Sequence, residues 1–183
     1  MTATPIDPQR TALLALDFLT PILEHYASNK FAAGDHAAKV CAAARGTQCL
    51  IGHVTPTIMV DHTRPTAESV DFYEPMRPVA DEARFTKPGV GAFEGTGVES
   101  WLRRSARDTL VIMGVATSGT VLSTVRYGFD KGFRMIVVSD ACADMDSQVH
   151  EILTHEVDTA SWIGLWKMAE LMTTDEIGGH LTR

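Results

Sequence analysis

Cysteine is scarce in this chain: Cys41, Cys49 and Cys142 are the three in 183 residues. An odd count without metal-ligand spacing argues against a disulfide scaffold or a zinc module and suits a reducing, cytoplasmic setting. Basic charge is short as well. Sixteen Lys and Arg against 23 Asp and Glu leave a net charge of −7. That argues against a nucleic-acid partner, which needs a basic face, though not against a small anionic ligand in a locally positive pocket. No apolar run nears the ~20 residues of a membrane span, so no membrane partner is expected. The first residues, MTATPIDPQR, are polar and contain proline, unlike a secretory leader. Repeats and low-complexity stretches are missing too. What remains is 45% apolar and 21% charged, ordinary for one globular domain. The expected layout is a loose arm over residues 1–10 and a single domain over 11–183.

The densest stretch is Asp108 to Gly132, DTLVIMGVATSGTVLSTVRYGFDKG. Leu110 to Met113 are apolar without alternation, as in a strand covered on both faces. Thr117, Ser118, Gly119 and Thr120 supply small side chains, hydroxyls and exposed backbone N–H groups. From Val121 the spacing turns helical, with Val121, Leu122, Val125 and Phe129 on one apolar face. Gly132 is a helix stop. Such strand-to-helix junctions favour ligands, because helix N-termini present free donors at the sheet edge. An ordinary connection without chemistry has the same pattern.

Three further strands are expected: Thr11 to Phe18, Cys49 to Val54, and Arg134 to Ser139. Asp17 closes the first, either as a catalytic carboxylate or as a helix cap, the cap being the commoner role. LTPILEHYASNK follows as a loop or broken helix with Pro21 in its first turn. Asp35 to Arg45 is alanine-rich and helix-favouring. Residues 55–83 carry four prolines and little periodicity, which suits a binding loop, a lid or an oligomer contact. His53 and His62 have no partner carboxylate at a recognisable spacing and read as strand and loop histidines rather than metal ligands. Lys87, before Pro88 and near Gly89 and Gly91, leaves a strand end; a single lysine is usually a solvated surface residue, and this setting raises the weight of a site role. Helices are expected over Val98 to Ser105 and, capped by Asp146, over Ser147 to Glu156. Cys142 reads as a small buried residue. Ala160 to Met172 has helical apolar spacing, and Thr173 to Arg183 is expected to be loosely ordered. Phe18, Phe72, Tyr73 and Trp162 are aromatics that could line a pocket or fill the core. This alternation predicts an α/β fold: a three-layer αβα arrangement around an open, mostly parallel sheet. Asp17, Lys87 and the 115–120 turn then all fall at strand carboxyl ends.

Together LLALDF with Asp17, FTKPGVGAFEGTGVESWLR with Lys87, the stretch VIMGVATSGTVLSTVRYGFDKGFRMIVVSDACADMD and the following His150 resemble the isochorismatase-like hydrolases, the cysteine hydrolase superfamily. The resemblance spans about residues 11 to 155. It implies a Rossmann-like parallel sheet of about six strands and a homo-oligomer, dimer or tetramer. Asp17 matches the family's general base, and Lys87 its positively charged positioning lysine. The Val115–Ala116 bond matches a non-proline cis peptide, and the N–H groups of Ala116 and residue 120 match the oxyanion hole. Val115, Ala116, Thr117, Ser118, Gly119 and Phe18 are the matching substrate-binding positions.

The departure is at the nucleophile. Cysteine members read G-V-A-T-x-x-C-V, and here Thr120 stands where the cysteine would. Leu19 replaces the usual Gln or Asn two residues after the aspartate. No metal set matches near residues 53–62, so neither metal nor other cofactor is expected. An alcohol is far less acidic than a thiol, and threonine nucleophiles need a stronger base than these neighbours offer. The expected activity is hydrolysis of a small molecule with Asp17 as acid or base, Lys87 as electrostatic partner and Thr120 lining the pocket. The family's isochorismatase branch, which cleaves a vinyl ether without the cysteine, is the precedent. A Thr120-dependent amidase or esterase, or a silent ligand-binding homologue, stays open at this level.

Overall fold

In the computed structural model, residues 5–57, 70–156 and 162–181 are described. Six strands, all parallel, form one sheet: β1 (Thr11–Leu16), β2 (Leu50–Pro56), β3 (Ala83–Lys87), β4 (Thr109–Val115), β5 (Arg134–Ala143) and β6 (Glu170–Met172). Their order is β3-β2-β1-β4-β5-β6. Six helices cover its faces: α1 (Thr20–Tyr26), α2 (Ala32–Arg45), α3 (Val98–Arg104), α4 (Leu122–Asp130), α5 (Ser147–Thr154) and α6 (Thr174–Leu181).

The continuous apolar runs explain this layering. All six β1 residues and all seven β4 residues are buried. Leu13, Ala15, Val111, Met113 and Val115 pack toward α1, α2 and α6. Ala12, Leu14, Leu16, Leu110 and Ile112 share the opposite core with α3, α4 and α5. Alternate residues of a strand face opposite sides, so each central strand needs apolar side chains throughout. Chain direction across the sheet reverses between β1 and β4, which opens a crevice at their carboxyl ends.

Several expectations are corrected at the termini and on α4. The described part of the arm is docked, not loose. Ile6 is buried in the core, Asp7 caps the turn Pro8–Arg10, and Pro5 O accepts from Arg134. The tail is not one helix over 160–172. Its described part forms a short turn at Leu165–Lys167 and then β6, whose Glu170, Leu171 and Met172 pair with Ile136, Val137 and Val138 of β5. Pairing with the open edge of β5 overrides the helical spacing. Thr173 to Arg183 was expected to be loose, yet α6 forms there. Ile177 and Leu181 are buried, and Thr174 N–H and Oγ1 both donate to Asp140 Oδ1. Val121, just before α4, and Val125 are buried but Phe129 is 44% exposed, so the apolar stripe ends a turn early. His62 lies outside the described residues. No described helix is long and apolar enough to cross a membrane.

Candidate active site

The site forms where β1 and β4 part. After Leu16 the backbone turns sharply: Asp17 has φ +61°, a left-handed conformation that short polar residues tolerate best. Its N–H is held by Val54 O of β2 at 2.9 Å, and its own carbonyl accepts from Leu19 N–H at 2.8 Å. The Asp17 side chain therefore leaves the sheet at the crevice rather than continuing the strand. It caps no helix. The first residue of α1 is Thr20, and Leu19 before it makes no side-chain cap.

Lys87 comes from the end of β3, two strands away, and reaches across. Its Nζ lies 2.9 Å from Asp17 Oδ2. It also donates to Val90 O at 2.9 Å and to Gly89 O at 3.4 Å. An ammonium has three donors, so all three are engaged. The long contact to Gly89 is the one a substrate could displace. Both side chains are buried, Asp17 at 5% and Lys87 at 5% exposure.

Burial dominates the acidity of Asp17. Removal from water disfavours the carboxylate and pushes it up from 3.8 to about 6, against the opposing charge and hydrogen bond of Lys87. The nearby Thr120 hydroxyl lowers it slightly, yet the two do not meet in hydrogen-bond geometry. Asp17 Oδ1 and Thr120 Oγ1 are both buried without a hydrogen-bond partner among the described residues. Buried polar atoms are nearly always paired, so two orphans in one crevice mark a place for a water or a ligand atom.

The turn after β4 supplies the third side. The Val115–Ala116 peptide is cis. Thr117–Val121 then forms a π-helical turn leading into α4. Ala116 O accepts from Gly119 N–H at 3.2 Å and Val121 N–H at 3.3 Å. Val115, Thr117 and Thr120 are buried, and Ser118 is exposed. Phe18 takes the core role, one of the two left open to it by the sequence. It is 2% exposed and packs in the core, where an apolar side chain next to the end of β1 gains more than in a wet crevice. Tyr73 stacks on Phe31 and donates to Asp35, and Trp162 is 62% exposed.

Two groups that hold the turn carried no role in the sequence reading. Asp144 Oδ2 accepts from Ser118 N–H at 2.7 Å, and His150 Nδ1 lies 2.8 Å from Thr117 Oγ1. The placement of Asp144 past a strand end was the available signal.

The cysteines are elsewhere. Cys41 and Cys142 are buried in the cores, and burial pushes both thiols up to about 12, which makes them inert. His53, buried on β2, bonds Glu82 at 2.9 Å, and Glu82 also takes Arg45 at 2.8 Å. Among the described residues no group of three or more His, Cys, Asp or Glu could hold a metal ion.

Residues 11–176 match the Isochorismatase domain family. The maleamate amidohydrolase of Pseudomonas putida is 29% identical over 171 residues, covering 82% of this chain and 80% of that one. An isochorismatase family protein from Burkholderia thailandensis superposes with a TM-score of 0.82 at 20% identity, covering 98% and 99% of the two chains. N-carbamoylsarcosine amidase from Thermoplasma acidophilum superposes with a TM-score of 0.67 at 21% identity, covering 91% and 98%.

Proposed function

Because the chain belongs to the isochorismatase family of hydrolases, we propose that it hydrolyses a small molecule by activating water at Asp17, without a covalent nucleophile. The observation that carries this reading is the pair of buried, unpartnered atoms Asp17 Oδ1 and Thr120 Oγ1, on residues near enough for the Thr120 hydroxyl to act on the Asp17 carboxyl. A water between them would find an acceptor on Asp17 and a hydroxyl partner on Thr120.

The chemistry follows from Asp17's raised value. A carboxyl near 6 is mostly ionised at neutral pH, yet basic enough to take a proton from water. As water attacks a carbonyl carbon, its proton passes to Asp17. The oxyanion forms against the N–H groups of Ala116 and Thr120. Asp17 then returns the proton to the leaving nitrogen or oxygen as that bond breaks. Lys87 holds the carboxylate in place and balances its charge. The relatives' names, an amidohydrolase and an amidase, favour a small acid amide or ureido acid as substrate.

The alternative is attack by Thr120 itself; against it stand the low acidity of an alcohol and the lack of a hydrogen-bond partner for Thr120 Oγ1 among the described residues. The test is a mass-detected hydrolysis screen with maleamate, N-carbamoyl amino acids, simple primary amides and isochorismate-type vinyl ethers. Turnover is expected to fall off below about pH 6, as Asp17 takes up its proton, and to vanish in Asp17→Asn. Full activity in Asp17→Asn would sink the assignment. An acyl adduct on the Thr120 peptide would replace it with the covalent route.

A further inference from the structure

The turn that would stabilise the oxyanion is held from outside by the segment following β5, and that contact assigns a role to a residue remote from the reacting atoms. Thr117 is fully buried, and its hydroxyl meets His150 Nδ1 at 2.8 Å. It directly follows Ala116 in the chain and precedes Thr120 by three residues, so its side chain lies inside the stretch that carries both oxyanion donors. One residue on, Ser118 N–H is tied to Asp144 Oδ2 at 2.7 Å. Two hydrogen bonds of the turn, both onto Ala116 O, are 3.2 and 3.3 Å. A π-helical turn is an uncommon conformation that recurs at functional sites, and here short ties of 2.8 and 2.7 Å reach it from other elements.

We propose that His150 is a positioning residue of the hydrolytic site: through the Thr117 hydroxyl it fixes the Ala116–Thr120 backbone against the Asp17 carboxylate. This rests on the reading of Asp17 and the turn given above. His150 sits on the first turn of α5, and α5 packs on the turn itself. The charged and titratable groups around it are Asp144, Glu151 and His155. Burial outweighs the two carboxylates and keeps its imidazole below the usual histidine range, hence neutral at pH 7. A neutral ring can meet the Thr117 hydroxyl in either tautomer, as acceptor or as donor.

The experiment compares His150→Ala, His150→Asn, Thr117→Val and the double variant His150→Ala/Thr117→Val in the full chain. The probe reaction is whichever amide or vinyl ether the wild type turns over in the screen above. His150→Ala should lower kcat by roughly 10- to 100-fold with KM little changed, since misplacing reacting groups by a fraction of an ångström costs on that order. His150→Asn, which keeps a hydrogen-bonding amide near the place of Nδ1, should restore most of the loss. The double variant should be no worse than His150→Ala alone, because both substitutions break one contact. A residue of purely structural value would instead lower thermal stability, leave kcat per folded molecule unchanged and combine additively with Thr117→Val.

A second readout needs no substrate. In ¹⁵N-labelled protein, His150→Ala should shift the backbone amide resonances of residues 116–120 while those of β2 and α2 stay in place. Unmoved amides at 116–120, or unchanged kcat in His150→Ala, overturn the proposal. Asp17→Asn separates the two ideas. Loss of activity there with full activity in His150→Ala discards only the role of His150, and full activity in both discards the activation of water by Asp17 as well.

Discussion

At the scale of single residues, the site keeps two polar atoms without partners in a buried place. Thr120 Oγ1 is the simpler of the two to test, because valine has nearly its shape. A buried hydroxyl without a partner carries a desolvation cost that a methyl group does not. Thr120→Val is therefore expected to raise stability by about 1 kcal/mol in urea unfolding. Its activity is expected to stay within about 100-fold of wild type, because the substitution removes one partner of the attacking water and leaves Asp17 in place. Removal of a true nucleophile costs on the order of a millionfold, so near-complete loss of turnover would make Thr120 the attacking group. Lost stability would mean that the hydroxyl has a partner in solution, such as a permanently bound water. Functional sites commonly carry stability deficits of this kind, and their repair commonly costs activity.

At the scale of elements, the seam between β1 and β4 is what brings Asp17 and the Ala116–Thr120 turn together. Gly114 lies opposite Leu16, the last β1–β4 pair, and the β4–β5 register shifts beside it. A Cβ at Gly114 would sit 2.6 Å from Leu16 Cβ and 2.8 Å from Leu16 O. The second of these is backbone and cannot swing aside. Gly114→Ala should cost about 1–3 kcal/mol by overpacking and should lower turnover, since β1 and β4 must part where they carry the site. Gly119→Ala is the control for stability, its added Cβ having nothing nearer than 3.9 Å. Thermal melts of both variants check the contrast, and equal melting temperatures would contradict it. The same elements show what could be read in advance. β1, β2, β4 and β5 are legible because a strand buried on both faces must be apolar throughout. β6 was not legible: three residues on an open edge take their conformation from β5, and Trp162, Leu165, Trp166 and Met168 satisfy helical spacing by coincidence. α6 carries a local start signal, a capping box in which Thr173 Oγ1 accepts from Glu176 N–H at 3.3 Å and Glu176 Oε2 accepts from Thr173 N–H at 2.7 Å, but the burial that holds the helix in place, with Asp140 of β5 bonding Thr174, is tertiary and has no signature in the local sequence. Asp17 and Lys87 could be read through the family resemblance, whereas nothing in the spacing joins Thr117 to His150, 33 positions away.

At the scale of the whole molecule, the buried titratable groups pull stability in opposite directions over one pH range. Asp17's folded value of about 6 lies above its ordinary 3.8. Between those two values the folded protein holds a proton that the unfolded chain releases. The stability this group lends is full below 3.8 and is lost as pH rises through about 6. His53 and His150 act the other way. Burial holds both below 6.5, so on acidification the unfolded chain takes up their protons first. Their contribution is intact above 6.5 and is lost as pH falls below it. Glu82, held low by Arg45, the Val79 N–H and His53 despite burial, adds to that loss only once pH drops below 4.5. Asp17 thus offsets the histidines between neutrality and mild acid, and removing its charge should expose them. From pH 7 to pH 5, Asp17→Asn is expected to lose about 1 kcal/mol more stability than wild type. Urea unfolding followed by tryptophan fluorescence at the two pH values measures this directly. The pH-independent cost of the substitution, including the lost partner of Lys87, cancels in the comparison. A gap between wild type and variant that stays constant from pH 7 to pH 5 would mean that the folded protein tolerates the Asp17 carboxylate as well as water does. In that case Asp17 would lack the raised basicity from which the proposed activation of water draws its strength.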